Sequence, residues 1–164
     1  MATVTRPPTR SALQLSLPAT THSYLMRAAE SLSEAVSATE ATTRYACAHV
    51  AALRSAAALL AARATPTTPT RRKPQKNAWV LLAEVAPELA EWAGFFAAGA
   101  GKRAAAEAGS RRAVTEREAD DLVRDADRFL AVIEQSLGLV AHEPTLPYLI
   151  EPAPVVHLAA RRVG

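Results

Sequence analysis

The chain has 164 residues, of which 49% are hydrophobic and 21% charged, enough for one domain with its own core and too apolar for a disordered chain. A net charge of +3 permits contact with nucleic acid without requiring it. The single cysteine, Cys47, excludes an intrachain disulfide framework or a zinc cluster.

Residues 1 to about 18, with adjacent Pro7 and Pro8 among scattered Ser and Thr, read as a disordered arm. The apolar part of this region, "ALQLSL", is too short and polar for a signal peptide. From about Thr20 a helical pattern begins, with Leu25, Ala28, Ala29, Leu32 and Val36 on one stripe. "SATE" then reads as a capping box, Ser37 being the cap and Glu40 lying three residues on. A second helix is predicted from about Ala38 to Ala64, and it is rich in alanine, which favours helix and lets helices approach closely.

The linker "TPTTPTRRKPQKN", residues 65–77, contains three prolines and excludes regular helix or buried strand. A third helical region starts near Ala78, with Trp79, Leu82, Ala86, Leu89, Trp92 and Phe96 as its buried stripe. Pro87 predicts a kink or a fresh start at Glu88. "AAEAGSRRAV" is the next connection. The fourth helix opens with a second capping box, Thr115 to Glu118. Its apolar face is Ala119, Leu122, Ala126, Phe129, Leu130, Ile133 and Leu137, and Gly138 stands where a glycine cap belongs. Residues 141–164, with four prolines, form an irregular Pro-rich tail. No stretch alternates apolar and polar residues as a half-buried strand does. The expected fold is therefore all-α, an antiparallel four-helix up-down bundle over residues 19–140.

The chemistry centres on "TTRYACAHV", where Arg44 is followed after four residues by His49. A histidine titrates near neutral pH and can take or give a proton. An arginine fork binds a phosphate and the charge that grows on it. At about 100° per residue, His49 lies roughly 140° from Arg44, in the middle of the bulky face of its helix. In one regular helix the two side chains do not converge. They could share a site across a two-fold axis, or His49 could be a core histidine beside a solvated Arg44.

"RYACAH" resembles the Arg-x4-6-His signature of the HEPN superfamily. The Ala-rich "RYACAHVAALRSAAALLAARA" and the following "NAWVLLAEVAPELAEWAGFFAAGAGKRAAAEAG" resemble a small bacterial HEPN-like subfamily. The resemblance spans roughly residues 20–139. It implies a small all-α bundle, commonly a homodimer, and in many members a metal-independent endoribonuclease. On that reading Arg44 holds the scissile phosphate and His49 is the acid or base, with RNA as the substrate. Other members have lost catalysis, so the second expectation is a regulatory or adaptor bundle that binds a protein partner.

Four linker cations, Arg71, Arg72, Lys73 and Lys76, could touch phosphates, though no aromatic side chain is interleaved for base stacking. Glu84, Glu88 and Glu91 share a face but lack the histidines of a di-metal site. No metal or cofactor is expected. His22, His142 and His157 suggest no joint site. Cys47 reads as a small buried hydrophobe with Arg44 as its only basic neighbour. One thiol and uninterrupted apolar runs far below the roughly 20 residues of a membrane span suggest a cytoplasmic protein.

Overall fold

The computed structural model describes residues 17–64 and 76–145, and among these every regular element is a helix. The elements are α1 (Ala19–Ser37), α2 (Ala41–Arg63), α3 (Ala78–Val85), a 3-10 turn (Pro87–Leu89), α4 (Ala90–Glu107) and α5 (Glu116–Ser136). Most of the predicted arm, linker and tail lies outside the described residues.

The break at residues 38–40 separates α1 from α2, but its chemistry is not the predicted capping box. Ser37 is still helical and its hydroxyl donates to the Ser33 carbonyl one turn back. The residue that caps α2 is Glu40, with no side-chain cap bond. The three-residue connection folds α1 back along α2. The Thr21 hydroxyl donates to the Ala58 carbonyl, and Arg54 donates to the Arg27 carbonyl and the Ser31 hydroxyl. Those contacts also rotate the buried stripe of α1 from the predicted one. Thr21 and Ser31 are buried, while Ala29 and Val36 face outward. Small hydroxyl side chains fit a close helix–helix contact once each has a partner.

α2 is the central element, packed against α1, α3, α4 and α5. Its alanines at 48, 51, 52, 56 and 58 are buried, so neighbours approach its backbone on several sides. It has the length and hydropathy of a membrane-crossing helix, and half of its most apolar window is buried in the bundle. Core helices of globular proteins share that profile.

The third helical region divides at Pro87 as its sequence predicts. Asn77 caps α3 by accepting from the Trp79 amide. Ala86, held off helical geometry by the following proline, closes α3 with a bond to the Leu82 carbonyl. Five of the six predicted stripe residues are buried; Trp92 is half-buried against them. α5 begins at the Thr115–Glu118 capping box, with both reciprocal bonds formed. It ends at Gly138, whose φ of 75° lets the Leu139 amide reach the Glu134 carbonyl.

Candidate functional site

Arg44 and His49 stand one and a half turns apart on α2 and face different neighbours. The Arg44 guanidinium reaches across the start of α5. One terminal nitrogen pairs with Glu116, and Nε lies 2.9 Å from an Asp120 oxygen, in charge contact though out of line for a hydrogen bond. The other terminal nitrogen donates to the Ala38 and Thr39 carbonyls at 2.9 and 3.2 Å. The fork thus ties the α1–α2 connection to the first turn of α5. Glu116, in the first turn, also suits the positive end of that helix. The Arg44 side chain is only 14% exposed, more covered than a solvated helix residue.

His49 is 1% exposed. Its Nε2 lies 2.8 Å from the Phe96 carbonyl of α4, which can only accept, so Nε2 carries the proton and donates. Nδ1 is buried without a partner. The ring stands edge-on to Trp79 and Phe96, with centroids 5.9 and 6.1 Å away. Trp79, Trp92, Phe96 and Phe129 continue the cluster, with Trp92 and Phe129 joining α4 to α5 at 5.3 Å. Burial holds the imidazole below the ordinary histidine range, and the Phe96 bond offsets only part of that effect.

Gly99 is what lets α4 come this close. A Cβ there would stand 2.9 Å from the Tyr45 hydroxyl and 3.4 Å from the His49 ring. Tyr45 is buried with its hydroxyl beside Gly99, and burial raises its pKa. Among the described residues, no hydrogen bond or ion pair joins Arg44 to His49. Each has its own set of partners, Glu116, Asp120 and the Ala38 and Thr39 carbonyls for Arg44 and the Phe96 carbonyl for His49.

Of the linker cations, Arg71, Arg72 and Lys73 lie outside the described residues. Lys76 is paired with both Glu84 oxygens at 2.6 and 2.8 Å. Glu88 is paired with Arg63, so two members of the acidic face are charge-compensated. Cys47 is half-buried, and burial followed by the nearby Glu34 raises its thiol pKa. The basic group acting on it is Arg54, seven residues on and on the same stripe, rather than the expected Arg44. No group of His, Cys, Asp and Glu among the described residues forms a metal-holding cluster.

The sequence reading missed one cluster. His142, just beyond α5, has Nδ1 2.8 Å from Glu134 and Nε2 3.0 Å from Asp127. The spacing of the two acids was the available signal, since residues seven apart share a helix face.

A family model described as HEPN_SAV_6107-like HEPN matches residues 35–134. The match takes in the end of α1, all of α2, α3 and α4, and most of α5, including both Arg44 and His49. No curated protein and no solved structure matches the chain. With well over half its length matched, the chain belongs to the HEPN_SAV_6107-like HEPN family.

Proposed function

We propose that this HEPN-like protein is a non-catalytic helical module that works by binding a protein partner, with Arg44 and His49 serving the fold. The observation that carries the non-catalytic reading is the burial of His49, 1% exposed with its Nε2–H donated to Phe96. A general acid or base must come within hydrogen-bond reach of the proton it moves. An imidazole kept neutral by burial, inside an aromatic cluster, has no such access. Arg44 argues the same way: its charge is balanced by Glu116 and Asp120, which would repel a phosphate placed on the same fork. The four long helices α1, α2, α4 and α5 then form an up-down HEPN bundle, with α3 as a short addition beside the aromatic cluster. A cytoplasmic setting fits the single, partly covered thiol.

The alternative is RNA cleavage by Arg44 and His49, in one chain or across a homodimer. The test compares the purified protein with Arg44→Ala and His49→Gln on single-stranded RNA, circular dichroism first establishing that each variant is folded. The expected result is equal background cleavage in all three. Cleavage by the parent protein that both folded variants lose would overturn the proposal in favour of the ribonuclease.

A further inference from the structure

The segment after α5 is fastened to it by an unusual set of bonds. Glu134 and Asp127 lie two helical turns apart on one stripe of α5. Glu134 Oε2 accepts from the His142 backbone amide at 2.8 Å and lies 2.8 Å from His142 Nδ1. Asp127 Oδ1 lies 3.0 Å from His142 Nε2 and accepts from the Thr145 backbone amide at 3.2 Å. Two carboxylate oxygens therefore hold both ring nitrogens and two amides of one short segment. Asp127 is itself 8% exposed and the Glu134 side chain 16%, so water competes little for these bonds.

A neutral imidazole has one N–H and one lone pair. Against two carboxylates, the lone pair would face an anion at hydrogen-bond distance. Only the doubly protonated ring donates on both sides, so the geometry itself selects the imidazolium. From this juxtaposition we propose that His142 is a pH-operated clasp, which holds residues 141–145 against α5 when protonated and releases them when it loses its proton.

The groups that face the ring are Asp127 and Glu134 of α5. The nearest cations on that helix point elsewhere, Arg128 toward Asp125 and Arg124 toward Asp121. Glu143 is the chain neighbour on the clasp side. Partial burial pulls the His142 pKa down, but the bonds to Asp127 and Glu134 and their charge outweigh it, and the net shift is upward. A raised pKa in the closed state means that closing binds a proton. The clasp is then complete below the ordinary histidine value near 6.5 and is lost as pH rises through the raised one. The matched family span includes Asp127 and Glu134 and stops before His142.

The test uses the full chain. NMR titration of the imidazole gives the His142 pKa directly. Amide-exchange protection of His142 and Thr145, whose amides the two carboxylates hold, corrected for the intrinsic pH dependence of exchange, gives the closure. The expected result is a pKa above the ordinary value and protection that falls about tenfold for each unit of elevation as the ring deprotonates. His142→Gln should show low protection with no pH dependence, and Glu134→Gln should bring the pKa back toward the ordinary value. An imidazole pKa at or below the ordinary value would overturn the clasp. So would protection that is flat with pH in the parent chain or unchanged in His142→Gln. Because the segment is peripheral to the core, these variants keep the bundle folded, and circular dichroism checks it.

Discussion

Three glycines in α4 offer the same substitution in three surroundings. At Gly94 and Gly101 an added Cβ meets nothing within 4 Å. Alanine there gains helix propensity and should stabilise the bundle by about 0.5–1 kcal/mol at each site. At Gly99 the Cβ would stand 2.9 Å from the Tyr45 hydroxyl, half an ångström short of the 3.4 Å at which ordinary contact begins. It cannot turn away, because the His49 ring is already at 3.4 Å and is held by the Phe96 carbonyl. Overpacking of this kind costs about 1–3 kcal/mol, which exceeds the propensity gain and leaves Gly99→Ala about 1 kcal/mol less stable than the parent. In urea unfolding, with a slope of about 1–3 kcal/mol/M, the Gly94 and Gly99 variants should differ in midpoint by about 1 M. Tyr45→Phe removes the hydroxyl, so the Gly99→Ala penalty should shrink in the double variant. If Gly99→Ala raises the midpoint as much as Gly94→Ala does, α4 does not press on α2 at this point. The close packing of His49, on which the non-catalytic reading rests, would then be wrong.

Arg44→Ala should lower stability by about 1–2 kcal/mol, discounted for the exposure of Glu116 and Asp120, and Arg44→Lys should recover little because one ammonium cannot reach carbonyls and acids together. Thr115→Ala, which breaks the capping box of α5, should cost about 1 kcal/mol in the same unfolding assay. The Lys102 bond, then those from Thr115, hold the Glu118 pKa down at about 2. The stability linked to it is present above the ordinary carboxylate value and fades as pH falls toward 2, and Lys102→Ala should raise the Glu118 pKa in an NMR titration. His49 works in the same direction at higher pH. Its depressed pKa means that acidification below the ordinary histidine range weakens the bundle, and that component should be missing in His49→Gln.

The sequence was most readable where local chemistry decides the outcome. Thr115, Glu118 and Gly138 mark the ends of α5 because capping and positive φ need particular side chains at particular places. Pro87 divides the third region for the same kind of reason. The aromatic stripe of α3 and α4 was legible because only a core accommodates Trp79, Leu82 and Phe96 at helical spacing. Helical arithmetic also put His49 on the packing face, where it is buried. What escaped depends on partners far along the chain. Thr21 and Ser31 were not placed on the buried stripe because their partners are on α2, whereas Ser37 is a local exception that bonds back to Ser33 instead of capping α2. Arg44 could not be seen as the tie to Glu116 and Asp120, more than 70 residues away. The His142 clasp needed the end of α5 to be fixed before its two acids could be placed beside the ring.

Half of the buried apolar residues among those described are alanines, 13 of 26. An alanine has no rotamers to lose, so burying one orders nothing beyond the backbone. It also removes only a methyl group's worth of surface from water. A core of this kind exposes little apolar area on unfolding for its length, and the heat capacity of unfolding scales with that area. The stability curve should therefore be broad and shallow, changing little between cold and physiological temperatures.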